Sequence, residues 1–99
     1  MFARVSTYTG DADALVKGFE AARLELEKIE GFTNAYFCVD RETGKALTMT
    51  LWESEQALQA SAERAHQLRS HATEPAGATT DSVAHYEVAM TVERPRANT

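Results

Sequence analysis

The sequence has little of what several classes of protein require. Cys38 is the one cysteine among 99 residues, which excludes an internal disulfide, and no CxxC motif is present for zinc or redox chemistry. No stretch approaches the roughly 20 apolar residues that a membrane helix needs, and the first ten residues lack the apolar run of a signal peptide. These absences predict a cytoplasmic protein with no membrane partner.

Basic residues are also few, and they are scattered. Ten Lys and Arg oppose fifteen Asp and Glu, for a formal net charge of −5. A nucleic-acid-binding domain usually concentrates basic residues on one face, so we expect no nucleic-acid partner. The hydrophobic fraction of 43% is enough for one modest core, which is too small to enclose a large cofactor without a second chain.

The spacing of apolar residues alternates between the periods of a strand and of a helix. A stripe from Leu15 to Ile29 predicts a first helix that ends at about Glu30. A stripe from Leu58 to Ala72 predicts a second helix, capped by Ser54 at its start. Period-two stretches predict four strands, at residues 2–9, 32–40, 46–52 and 82–92.

The resulting order βαββαβ is typical of the α+β ferredoxin-like fold, an antiparallel four-stranded sheet with two helices on one face. We expect this domain to span residues 1–93, with a flexible C-terminal tail at 94–99. The other face of the sheet is left open, and we expect a homodimer through it because exposed aromatic side chains need a cover. The alternation places on this open face Arg4, Ser6, Tyr8, Asn34, Tyr36, Cys38, Thr48, Thr50, Trp52, His85 and Glu87.

Two segments and one histidine carry a family resemblance. The stretches GFTNAYFCVD (31–40) and TLWESEQAL (50–58), followed by His66, resemble the antibiotic biosynthesis monooxygenase-like family of dimeric α+β barrels. In the family's common pattern two histidines follow the tryptophan on the second helix, and these positions fall on Ser61 and His66. The resemblance implies a dimeric α+β barrel, a fold that serves cofactor-free oxygenases, heme-degrading enzymes and members without a known reaction.

The resemblance further implies a cofactor-independent monooxygenase that acts on a small aromatic or polyketide-like substrate. A deprotonated phenol or quinol can pass an electron to oxygen by itself, so the protein has to supply a dry pocket, a base and an orienting donor. We interpret His66 as the base and Tyr86 or Trp52 as the donor. The other predicted residues of a ligand pocket between helices and sheet are Phe19, Phe37, Met49, Met90 and His71.

Each of these residues also has a structural interpretation. Trp52 stands where a strand meets a helix and can simply bury its ring at that joint. Aromatic and Met side chains that face helices usually form filled core, and His66 can be a half-exposed helix residue. The alternative function is therefore a non-catalytic dimeric barrel that binds a small ligand or only assembles.

A heme-binding or heme-degrading monooxygenase is a third hypothesis. The heme-degrading branch of the family carries an Asn on the first strand and a Trp and an axial His on the second long helix. Matched by position, Ser6 or Thr7 replaces the Asn, Ser61 replaces the Trp, and His71 retains the ligand. We therefore expect no cofactor and weak or no heme binding. His66 and His71 are five residues apart, on different sides of a helix, so we expect no metal centre.

Overall fold

Four strands and three helices follow one another in the order of a ferredoxin-like fold, and the predicted α+β class is confirmed. The computed structural model describes residues 1–95. Its antiparallel sheet has the strand order β2-β3-β1-β4, and the helices cover one face. The elements are β1 (Phe2–Thr9), α1 (Ala12–Glu27), β2 (Phe32–Asp40), β3 (Lys45–Trp52), α2 (Glu55–Ala60), α3 (Ala62–Thr73) and β4 (Thr79–Glu87).

The helices begin where the sequence provides caps. The carboxylate of Asp11 accepts a hydrogen bond from the backbone N–H of Ala14 at 2.9 Å at the start of α1. The hydroxyl of Ser54 accepts one from the N–H of Ala57 at 3.1 Å at the start of α2. No helix within residues 1–95 combines the length and the apolar character that crossing a membrane requires.

The second helical region and the last strand differ from the sequence prediction. The single helix expected after Ser54 is two helices, α2 and α3, that meet at Ser61. The last strand was predicted at 82–92, but β4 spans Thr79–Glu87, and residues 88–95 have no regular secondary structure. The predicted C-terminal tail falls partly on residues 96–99, which lie outside the described residues.

The side chains of β1 and β3 point to the face opposite the predicted one. β2 and β3 are joined by residues 41–44, so Asp40 pairs with Lys45 and Phe37 pairs with Thr48. Because paired residues share a face, this register turns Thr48 toward the helices together with Phe37. The prediction for these two strands was wrong. The side chains that were predicted on the open face and lie on the helix side are Arg4, Ser6, Tyr8, Thr48, Thr50 and Trp52.

The open face of the sheet is instead largely apolar. Its predicted members Asn34, Tyr36 and Cys38 do lie there, opposite Leu51, Met49 and Leu47 of β3. His85 and Glu87 pair with Arg4 and Phe2, so both belong to the helix side. The apolar or aromatic side chains of the open face are Ala3, Val5, Tyr36, Leu47, Met49, Leu51, Ala84 and Tyr86.

The helices α1 and α3 approach each other closely at Gly18. A Cβ atom at this position would lie 2.6 Å from the carbonyl oxygen and 2.9 Å from the Cα of Ala72. Both atoms belong to the α3 backbone, so the contact cannot relax by rotation of a side chain. The glycine therefore sets the distance between the two helices that cover the sheet.

We expect Gly18→Ala to lower the free energy of unfolding by about 1–3 kcal/mol, the usual cost of overpacking. At a helix position without this contact, the same change raises stability by roughly 1 kcal/mol, so the sign of the effect tests the contact. Urea denaturation measures it, with the exposed neighbour Lys17→Ala as the control. A more stable Gly18→Ala protein would show that α1 and α3 do not pack in this way.

Candidate functional site

A small cavity lies between the helices and the central strands. Its volume is about 50 Å³. The floor comes from β1, β3 and β2 and the roof from α1 and α3, so it occupies the layer that would otherwise be continuous core. Its lining residues are Arg4, Ser6, Tyr8, Ala22, Leu26, Phe37, Thr48, Thr50, Trp52, Ala65, Leu68 and Arg69.

The guanidinium of Arg4 is held at one side of this cavity, and the residue is only 3% exposed. Its Nε donates to Nε2 of His85 at 3.3 Å, Nη1 donates to the hydroxyl of Ser61 at 3.0 Å, and Nη2 donates to the carbonyl of Leu58 at 2.7 Å. The Cζ atom lies 5.6 Å from the centre of the Trp52 ring, within cation–π range. The buried cation is thus fixed by neutral partners.

No carboxylate within residues 1–95 forms an ion pair with Arg4 or with Arg69. The ion pairs of this part of the chain are on the surface and join Lys28 to Glu25, Arg64 to Glu25 and Arg41 to Asp13. Burial, followed by the charge of Arg69, lowers the pKa of Arg4 to about 10. Burial also lowers the pKa of Arg69. Arg4 nevertheless remains charged at neutral pH, so the cavity carries positive charge.

Hydroxyl groups converge on the same cavity from the strands. The Tyr8 hydroxyl lies 3.1 Å from the Thr48 hydroxyl, and Ser6, which pairs with Thr48 across β1 and β3, is 2% exposed. The Trp52 indole N–H donates to the Thr50 hydroxyl at 2.9 Å. A few converging polar groups in an otherwise apolar pocket are typical of a small-molecule site.

Phe37 forms the mouth of the cavity. Its ring stacks on Phe19 with centroids 5.2 Å apart and an interplanar angle of 15°, and the residue is 38% exposed. Phe37 and Leu26 also line a surface cleft of about 430 Å³ between α1 and β2. Since a cavity of roughly 150 Å³ holds benzene, an aromatic ring fits the cleft at the mouth and not the smaller cavity.

The structure brings two of the predicted site residues to the cavity, Trp52 and Phe37. Trp52 is fully buried and its N–H is already engaged by Thr50. Phe19 lies behind Phe37 and packs against Tyr8 as well. The Trp52 ring also contacts Phe32 edge to face at 5.6 Å, so its packing at the strand–helix joint is confirmed.

The remaining predicted residues lie elsewhere. Met49 and Tyr86 belong to the open face of the sheet, where they pair with Val5 and Ala3, so their predicted place beside the helices was wrong. Met90 follows β4 and is 77% exposed. His66 and His71 are exposed residues of α3 outside the cavity lining, and the catalytic roles assigned to His66, Trp52 and Tyr86 stay predictions.

The residues that sequence reasoning missed are Arg4, Ser6, Tyr8 and Thr48, assigned to the wrong face, and Arg69, which was not considered. One signal was present in the sequence. Tyr8 and Trp52 fall on the same face as the polar residues of β1 and β3, and aromatic rings of this size favour the covered face. Among residues 1–95, no group of three His, Cys, Asp or Glu side chains is placed to hold a metal ion.

Comparisons with known proteins agree with this architecture. A family model described as antibiotic biosynthesis monooxygenase matches residues 1–73. No curated protein sequence matches the chain. Several solved structures match nearly the whole chain at low sequence identity.

Three of these structures are described as oxygenases or a heme degrader. SnoaB of Streptomyces nogalater, a cofactor-independent oxygenase, is 14% identical, with 94% of this chain and 97% of that chain covered and a TM-score of 0.73. The monooxygenase ActVA-Orf6 of Streptomyces coelicolor, solved with nanaomycin D, is 18% identical over 95% and 92%, with a TM-score of 0.69. The heme degrader MhuD of Mycobacterium tuberculosis, with two hemes bound, is 24% identical over 94% and 100%, with a TM-score of 0.71. At these identities the likeness shows the fold alone.

His85 makes the stability of this site depend on pH. Its Nε2 accepts the Arg4 hydrogen bond, so the neutral ring carries its proton on Nδ1. Burial, then Arg4 and Arg69, lower the pKa of His85. The unfolded chain therefore binds the proton more readily, and stability present above the ordinary pKa of about 6.5 is lost as pH falls through it toward the folded value.

We expect His85→Gln to remove this part of the loss of folding stability at acid pH, because a glutamine oxygen can accept the Arg4 hydrogen bond without titrating. Urea denaturation between about pH 7.5 and 5 measures the slope for the wild type, for His85→Gln and for the exposed control His71→Gln. Identical slopes for the wild type and His85→Gln would remove His85 as the titrating group.

Proposed function

Because the chain belongs to the antibiotic biosynthesis monooxygenase family, we propose that it is a cofactor-independent monooxygenase that oxidises a small aromatic or polyketide-like substrate. The observation that carries this proposal is the cavity between helices and sheet, with its apolar wall and converging hydroxyl and guanidinium groups. The description of SnoaB as a cofactor-independent oxygenase and of ActVA-Orf6 as a monooxygenase supports the same reaction class.

The proposed reaction needs no resident electron carrier. An ionised phenol or quinol gives an electron to oxygen, which forms a substrate radical and superoxide. These two species combine at a ring carbon. One oxygen atom becomes a new carbonyl of the product and the other leaves as water, so the substrate supplies every electron. The protein contributes exclusion of water, orientation and placement of charge.

The substrate ring is placed at the mouth, against Phe37 and Leu26, with its oxygen directed toward the hydroxyls of Ser6 and Thr48. His66 follows Ala65, a cavity residue, and its side chain points about 100° away around the helix. Its role as a base is accordingly a proposal that the variants below test.

We expect Ala22→Leu to lower kcat/KM by about 10- to 100-fold, because three added carbon atoms fill the cavity and displace the substrate, and a misplacement of about 1 Å costs roughly 100-fold in rate. Ala22 lines the cavity from α1 and carries no reactive group. Ala21→Leu, at the exposed neighbour, is the matched control and should keep full activity. Oxygen consumption with dihydroxynaphthalene and anthrone, in aerobic and anaerobic arms, measures turnover.

The same assay separates the alternatives. Equal activity of the Ala22→Leu and Ala21→Leu proteins would remove the cavity as the site. Lost activity in His66→Ala at unchanged stability would establish that histidine as a base, and full activity would exclude it. Ligand binding without oxygen consumption by any substrate would make the protein a non-catalytic barrel.

A heme-binding function is the second candidate, because the heme degrader MhuD shares the fold. The residues present do not fit heme in this geometry. His71, the matched axial position, is exposed and does not line the cavity, and about 50 Å³ is too little for a macrocycle. A hemin titration in the same screen should give no sharp Soret shift. A shift abolished by His71→Ala would establish heme binding instead.

We further propose that a second copy of this chain covers the open face of the sheet. Tyr36 is 55% exposed and Tyr86 is 58% exposed on opposite edge strands of that face. Between them lie Leu47, Met49 and Leu51 on β3. A largely apolar face of this kind can pair with itself across a two-fold axis, so the mass of the protein in solution tests the contact.

We expect a mass of about twice 10.9 kDa by light scattering and conversion to monomer by Tyr36→Asp, which buries an unpaired charge at the contact. Leu24→Asp introduces the same charge at a leucine that is 59% exposed on α1, away from the open face, and should leave the dimer intact. A monomeric wild type, or dimers of both variants, would contradict the proposed contact.

A further inference from the structure

We propose that the cavity binds an anionic oxygen group of its ligand, a carboxylate or a phenolate, between Arg4 and Arg69. The proposal deepens the function given above, on which its aromatic ligand class rests, by making that ligand an acid. It assigns Arg4 and Arg69 as binding residues.

The positive charge of the cavity is not compensated by a protein anion. Arg4 and Arg69 line one cavity of about 50 Å³, and no Asp or Glu is among the residues that line it. Buried cations in proteins are normally paired with anions, because desolvation of a lone charge is costly. Within residues 1–95 neither arginine has a carboxylate partner. A ligand anion supplies the missing counter-charge.

The Arg4 guanidinium is held in place and still has unused hydrogen-bond donors. Arg4 carries five N–H donors and gives three hydrogen bonds, to His85, Ser61 and Leu58. All three acceptors are neutral, since the low pKa of His85 keeps that ring unprotonated at neutral pH. The guanidinium is therefore already oriented before a ligand arrives, and little reorganisation opposes binding.

The size of the cavity also suits a small anionic group. A cavity of about 50 Å³ exceeds the roughly 10–15 Å³ that one water needs and is well below the roughly 150 Å³ that holds benzene. It accommodates a group of a few atoms, such as a carboxylate. The adjoining cleft of about 430 Å³ shares Phe37 and Leu26 with the cavity and takes the ring. An aromatic acid matches both compartments.

Binding of benzoate and of its neutral analogue benzamide tests the proposal. Trp52 is the one tryptophan of the chain and lines the cavity, so its fluorescence reports occupancy. We expect benzoate to bind about 10- to 100-fold more tightly than benzamide, as charge-assisted hydrogen bonds predict. Arg69→Gln should reduce the preference, with Arg4 as the remaining cation, and Arg69→Lys should retain most of it.

Arg64→Gln is the matched control, since Arg64 is on the same helix, changes the net charge equally and pairs with Glu25 on the surface. It should leave the preference unchanged. Titration of 4-nitrophenol distinguishes the anion sources: if the site holds phenolate, the bound compound ionises at lower pH in the wild type than in Arg69→Gln. A preference for benzoate without that shift assigns a carboxylate.

Equal affinity for benzoate and benzamide, no benzoate binding, or a preference that is undiminished in Arg69→Gln would overturn the anion site. These outcomes are separate from those of the oxygenase assay. Selective benzoate binding without any oxygen consumption retains the anion site and removes the oxygenase. Oxygen consumption by the wild type together with equal affinity for benzoate and benzamide retains the oxygenase and removes the anion site.

Discussion

The hydrogen bonds of the Arg4 guanidinium join three parts of the chain at one buried point: β4 through His85, the last turn of α2 through Leu58, and the start of α3 through Ser61. A buried charge has to be solvated by protein groups, so these parts cannot shift independently. The same contacts explain the break between α2 and α3. The Leu58 carbonyl accepts from Arg4 and from the Ser61 hydroxyl, and these side-chain donors take the place of a helix bond.

The cavity follows from the same arrangement. A guanidinium that is anchored on one side and stacked near Trp52 leaves space beneath α1 and α3 that no neighbouring side chain fills. Protein interiors are normally packed without such gaps, and polar groups beside a gap lose the contacts that would offset their burial. The structure and the proposed ligand recognition therefore both depend on Arg4, which makes Arg69 the better position at which to change the charge.

Much of the fold was predictable from local signals, such as the helical stripes and the caps at Asp11 and Ser54. The faces of β1, β3 and β4 were not, and for β3 the reason is the hairpin loop, which spans residues 41–44 where the predicted strands leave 41–45. A shift of one residue exchanges the two faces of a strand, and this shift assigned Thr48 to the face opposite the cavity. The break at Ser61 depends on a contact with a residue 57 positions earlier, and no local pattern encodes it.

The alternation of β1 and β3 has a consequence for how this protein can change. On both strands the even-numbered side chains, such as Ser6 and Thr48, face the cavity, and the odd-numbered ones, such as Val5 and Met49, face the open side. Adjacent codons thus serve separate selective pressures. Mutations of the even-numbered residues can change the proposed ligand preference while the odd-numbered residues keep the surface through which copies would meet. The two properties can therefore diverge independently within a lineage.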